Sequence, residues 1–178
     1  MKSILIGILL LTCAALGACS ANALFPSDVL EGVDTNFDFA RWRMLPNQAE
    51  AKKIQLGGRI VQAETKGDRV TLVVAQLPIV EHPAYGPKDM GKSRGEFAIV
   101  YQGKINSAFL QPGNRVMVVG KTHASMVVSV DDLQKSLPAV MAACVHFWKT
   151  GGRDIADFPS YGAGYETLEE ETMCTFNQ

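Results

Sequence analysis

Cys144, His146 and Trp148 occupy alternate positions in the apolar run 139–149, so in an extended chain a thiol, an imidazole and an indole project from one side. A thiolate beside an imidazole can act as a nucleophile–base pair, and an indole face can stack on a bound ring. The same spacing suits a covered sheet face in which Cys144 is bonded elsewhere and a buried His146 needs a polar partner. Residues i and i+2 share a side without being in hydrogen-bond reach. The covered face is therefore the expected arrangement, and a periplasmic thiol enzyme using Cys144 and His146 is the alternative. His82 and His123 lack the close His or Cys spacing of a zinc or haem site. His82 precedes Pro83 in a loop and His123 is read as ending a strand beside Lys121, so no metal ligand and no catalytic set is assigned.

A second chemistry lies at the start of the chain. Lys2, the apolar run 4–11 and the sequence Leu16-Gly17-Ala18-Cys19 form an export signal ending on a cysteine, too short to span a bilayer. An apolar residue three places before a cysteine, with small residues between, suits a peptidase that cuts beside a thiol already carrying diacylglycerol. Cys19 is the expected attachment point of a covalent lipid, the only non-protein group implied. Each buried CH₂ contributes roughly 0.8 kcal/mol, so two or three acyl chains hold where one does not. Ser20 stands where an aspartate would favour inner-membrane retention, which points to the outer membrane. Ala21-Asn22-Ala23 offers ordinary secretory cleavage as the other reading.

Residues 1–18 are thus read as a leader, 19–50 as a lipid-anchor tether leading into the fold, 51–149 as the core and 150–178 as a tail packed on it. The 178-residue chain carries 17 basic and 18 acidic side chains, a balance that gives no electrostatic footprint for nucleic acid. With Cys19 acylated, Cys144 and Cys174 remain as a possible disulfide in an oxidising periplasm, the alternative being two unpaired thiols.

The elements that position these residues are mostly strands. Residues 53–65 place Ile54, Leu56, Gly58 and Ile60 on one face, and Gly57-Gly58 invites a bend or a close backbone approach. Lys66-Gly67-Asp68 turns the chain into residues 69–76, where Val70, Leu72 and Val74 alternate with Thr71, Val73 and Ala75. Further runs cover 96–101, 115–121 and 139–149, with 127–130 weaker and 131–136 read as a brief helical turn. Residues 27–31 are read as a short helix capped by Ser27. Five to seven strands without crossover helices predict a mainly β fold, a single small antiparallel OB-like β-barrel with a lipidated tether and an irregular C-terminal tail. A β-sandwich is the alternative.

The segment 82–95 contains two prolines and three glycines and is the clearest long loop. Its Lys88, Lys92 and Arg94 are candidates for contact with phosphate headgroups or an acidic partner. Tyr161-Gly162-Ala163-Gly164-Tyr165 suits packing of the tail, and Glu169-Glu170-Glu171 reads as a solvated face.

Taken in order, the leader, Phe25-Pro26, Gly57-Gly58, Gln76-Leu77-Pro78, Arg94-Gly95-Glu96-Phe97, Phe109-Leu110-Gln111-Pro112, Val118-Val119-Gly120, Leu137-Pro138-Ala139-Val140 and His146-Phe147-Trp148 resemble the Slp family of outer-membrane lipoproteins, named for starvation induction. The resemblance covers residues 25–148. Gln111 replaces an expected acidic residue, and Lys121 follows Gly120 in place of a second glycine. The resemblance implies an outer-membrane, periplasm-facing lipoprotein without an established catalytic motif: a non-enzymatic structural or interaction module, with a role in envelope stress adaptation. A lipid-tethered small-ligand or glycan-binding barrel is the competing function, and an envelope protein or small ligand the unidentified partner.

Overall fold

The computed structural model describes residues 24–80, 86–88, 93–153 and 168–175. The leader, Cys19, His82, Lys92 and the tyrosines of the tail lie outside these residues. Two short helices, α1 (Ser27–Leu30) and α2 (Phe39–Met44), precede the long strands β1 (Lys53–Lys66) and β2 (Arg69–Leu77). Two-residue strands β3 (Ile79–Val80) and β4 (Gly86–Pro87) follow, then β5 (Glu96–Gln102), β6 (Arg115–Val130), β7 (Leu133–Trp148) and β8 (Glu170–Cys174).

The large sheet runs β5-β2-β1-β6-β7 and closes into a ring because β5 also pairs with β7. Every pairing is antiparallel except the closing one, where Ala98, Ile99 and Val100 lie opposite Ala139, Val140 and Met141 in parallel. The fold is thus mainly β and OB-like as expected, and the ring excludes two separate packed sheets. On β7 one edge serves β6 throughout, while the other serves β5 at Ala139–Met141 and β8 at Cys144–Trp148. β8 therefore takes over the edge of β7 where β5 leaves it. Within the segment expected to be an irregular tail, residues 170–174 are a strand.

Alternation explains the interior. Ile54, Leu56, Ile60, Val70, Leu72, Val74, Phe97, Ile99, Val116, Val118, Val145 and Phe147 form one buried cluster. Gly58 is required by close approach, since a Cβ there would lie 2.3 Å from Val74 Cγ1 and 2.4 Å from the Ala75 carbonyl oxygen. A bulge between Ile60 and Gln62 then bends β1.

The two ends of the barrel are closed differently. Phe39 and Trp42 of α2 cover the end where β5 starts, with the Phe39 ring 5.8 Å from Phe97. Phe109 covers the end where β7 finishes, 6.2 Å from Phe147. These are opposite ends because β5 and β7 run parallel. Asn114, fully buried, holds the second cover by donating to the Ala108 and Phe109 carbonyls and accepting from the Gly151 N–H.

Three local expectations are corrected. Residues 131–136 are not a helical turn: Asp131 and Asp132 both take positive φ, 48° and 63°, and join β6 to β7 as a tight hairpin. His123 does not end a strand, because β6 continues past it through a bulge between His123 and Met126. Pro138 lies opposite that bulge, where its missing N–H leaves no ladder bond unmade. Ser27 is the first helical residue of α1 and Pro26 occupies the cap without a side-chain bond. The helix α2 was not foreseen; Asp38 caps it by accepting from the Arg41 N–H at 3.1 Å.

Candidate functional site

Three parts of the barrel's outer surface carry the residues singled out above. The first is the seam between β7 and β8. Thr175 donates its N–H to Ala143, and Lys149 donates to Glu169, so those two pairs are the hydrogen-bonded ones. In the alternating ladder between them, Cys144–Cys174, His146–Thr172 and Trp148–Glu170 are then non-hydrogen-bonded pairs, the positions where facing side chains come closest. The geometry follows: Cys144 and Cys174 have Cα atoms 4.0 Å apart with their sulfurs bonded. His146 Nδ1 lies 2.6 Å from Thr172 Oγ1. The Thr172 hydroxyl donates to the Leu24 carbonyl at 3.0 Å, so Nδ1 must supply the proton for the His146–Thr172 bond.

That assignment leaves Nε2 as the bare nitrogen. It has no hydrogen bond, and Glu170 Oε2 stands 3.4 Å away. His146 is 3% exposed, flanked by Trp148 at 4.1 Å and by the edge-on ring of Phe25 at 6.4 Å. Burial pushes the imidazole below its ordinary pKa, with the Glu170 carboxylate opposing. Phe25, 2% exposed, joins Met117, Val119, Cys144 and Trp148 in a cluster that also takes up Leu24, Val29, Leu30 and Val33. The N-terminal segment is thus docked on the seam. The spacing of Cys144, His146 and Trp148 did place them on one face, and the polar partner required by His146 is Thr172. No thiol faces His146, because the Cys144 sulfur is bonded to Cys174.

The second part is the far end of the β6–β7 hairpin, which folds over the outside of β2 and β5. Val128, Val130, Leu137 and Ala139 bury Val73 and Ala98. Lys135 pairs with Glu96 of β5 at 3.0 Å, and Gln62 donates to the Ser129 carbonyl at 2.8 Å. Beyond this cover, a groove of about 310 Å³ runs between Glu64, Lys66, Arg69 and Thr71 on one wall and Met126–Ser129 with Gln134 on the other. None of its described lining residues is aromatic, and Lys66 is already paired with Glu64 at 2.8 Å.

The third part is the end of the barrel beneath α2. Gln76 donates its N–H to the Gly95 carbonyl at 2.8 Å, and the Lys88 N–H donates to Pro78 at 3.0 Å. Gly95 and Lys88, from the loop expected at 82–95, are therefore held at Gln76 within β2 and at Pro78 just past its end, two residues or about 7 Å apart along the chain. A Cβ at Gly57 would lie 2.8 Å from Pro87 Cβ, so β4 packs closely over β1 at that glycine. Gly95 has φ +129°, and the Arg43 side chain crosses it so closely that a Cβ there would lie 2.7 Å from Arg43 Cδ. Of the three loop candidates, Lys88 is half-buried, Arg94 is exposed and Lys92 lies outside the described residues. Arg43 was not singled out from the sequence; a basic residue four places after Phe39 and next to Trp42, both buried, was the available signal. His123 is exposed, opposite Ala139 on β7, with Nδ1 3.3 Å from the Ala124 carbonyl.

A closed five-strand ring with a docked N-terminal segment defines a small β-barrel module. The model of the outer membrane lipoprotein Slp family matches residues 16–170, and the chain belongs to that family. It is an outer-membrane lipoprotein on that ground. No curated protein matches it. A small single-stranded DNA-binding protein from Streptomyces coelicolor is similar at 12% identity and a TM-score of 0.35, covering 55% of this chain and 94% of that one, a likeness too slight to carry an argument.

Proposed function

We propose that this lipoprotein is a non-enzymatic interaction module facing the periplasm, held to the outer membrane through a lipid on Cys19 and serving envelope stress adaptation. The observation that supports it most is the docking of Leu24 and Phe25 on the β7–β8 seam. Leu24 lies five residues after Cys19, a span of at most about 18 Å even when fully extended, so a lipid on Cys19 keeps the barrel beside the bilayer. The engagement of the Cys144 sulfur supports the non-enzymatic reading over the thiol enzyme.

Mass spectrometry of the membrane-extracted mature protein tests the anchor: an acylated N-terminal Cys19 is expected, and a soluble, unacylated chain starting at Leu24 overturns it. Protease digestion of intact and permeabilised cells tests the orientation, with cleavage expected only after permeabilisation.

A second reading, a barrel binding a small ligand or glycan, is favoured by the groove beside the β6–β7 hairpin. A panel of short oligosaccharides raising the melting temperature, with the effect lost in Arg69→Gln, would establish it.

A further inference from the structure

We infer that the end of the barrel beneath α2 is a docking surface for anionic phospholipid headgroups. Four cationic residues lie at this end. Arg43 lies across Gly95, Arg94 is the next residue and exposed, Lys88 is tied to Pro78 beside the Gln76–Gly95 bond, and Arg41 lies on the outward side of α2. Of the nearby acids, Glu96 is already held by Lys135 at 3.0 Å, and Asp38 accepts from the Arg41 N–H as the cap of α2.

Beside the cations stand two large apolar side chains that packing does not explain. Met44 is 69% exposed and Leu45 51%, while Phe39 and Trp42 on the inner side of the same helix are 5% and 3% exposed. Cations bordering exposed apolar side chains suit a membrane interface, where headgroup phosphates meet the charges and the apolar groups enter the acyl boundary. An acidic protein would satisfy the cations but supplies no reason for Met44 and Leu45. The chain supports the same choice: from Leu24 it passes through α1, whose Ser27–Leu30 turn and following Glu31 receive Lys53 at the start of β1, and reaches α2 directly.

The inference rests on the proposed Cys19 tether only for bringing this end near a bilayer, and the two are tested apart. The mature chain carrying Cys19→Ser, made without acylation, is sedimented with phosphatidylcholine vesicles that contain or lack phosphatidylglycerol. Binding is expected only with phosphatidylglycerol and should fall as salt rises from 0.1 to 1 M, where the screening length shrinks from about 10 to 3 Å. Arg43→Gln and Arg94→Gln should each weaken it about fivefold, and Met44→Ser with Leu45→Ser should weaken it further. Equal binding to both vesicles, no binding to either, or binding indifferent to Arg94→Gln overturns the inference. Arg94 is exposed, so that variant carries the test should Arg43→Gln lower the melting temperature. Release of Cys19→Ser from cell membranes bears on the tether alone.

Discussion

The barrel's outer face is covered twice, and the two covers are built by opposite means. Over β7 and β8 the N-terminal segment lies on a seam that is stapled by Cys144–Cys174 and contains a buried imidazole with a hydroxyl partner. Over β2 and β5 the β6–β7 hairpin is held by small aliphatic contacts, one ion pair and one side-chain bond to backbone. The first depends on register, since the Cys144–Cys174 bond and the His146–Thr172 hydrogen bond form only when β8 pairs correctly with β7. The second is a set of additive, individually weak contacts. The difference predicts that damage to the seam spreads through β8 and the N-terminus together, whereas damage to the hairpin stays local.

Phe25→Ala should be the largest single loss, about 3–5 kcal/mol for an almost fully buried ring. Urea denaturation measures it; a loss within the error of the fit would show that Phe25 is not what closes the seam. Cys174→Ser should cost about 3 kcal/mol through the freed loop, and reduced wild-type protein should unfold at the same urea concentration as the variant. On the other cover, Leu137→Ala should cost about 2 kcal/mol. Amide exchange should then rise at Val73 and Ala98 and stay unchanged on β8; a rise on β8 would refute the independence of the two covers.

The seam should respond to acid through His146. Burial lowers the His146 pKa from its ordinary 6.5, so the unfolded chain takes up a proton that the folded seam resists. The stability contribution is complete above about 6.5 and is lost as pH falls from there toward the folded value. His146→Phe should flatten this window in denaturation curves taken at several pH values. Least of all, Glu96→Gln should cost under about 1 kcal/mol, because the two side chains of its ion pair are 37% and 29% exposed. An undiminished hairpin in amide exchange is the expected readout.

The first hairpin was plain in the sequence because Val70, Leu72 and Val74 alternate without interruption beside a Gly-containing turn. The second was only half visible. Its strands carry Thr122, Ser125 and Ser129 among the apolar residues, and Asp131-Asp132 reads equally as a helix start until both residues are seen in the left-handed region. α2 escaped because six residues burying two side chains give no periodic stripe. Of the seam, the shared side of Cys144, His146 and Trp148 was legible; their partners were not. Setting Cys144 opposite Cys174 and counting outward would have found Thr172 and Glu170. The parallel closure of β5 on β7 has no local signature, since it arises only when the ring shuts. The lipid attachment proposed at Cys19 is read from its motif, residue 19 lying outside the described residues.

The hydrogen bond from Thr172 to Leu24 joins positions 148 residues apart in the chain. Tension on a lipid at Cys19, as proposed, would enter the described structure at Leu24 and Phe25. From there the load divides, part passing along the backbone into α1 and part crossing to β8, where the bond between Cys174 and Cys144 transfers it to a strand paired on both edges. The handhold nearest the anchor is thus braced against the middle of the barrel, and tension tends to be shared across the wall before it can peel a single strand away.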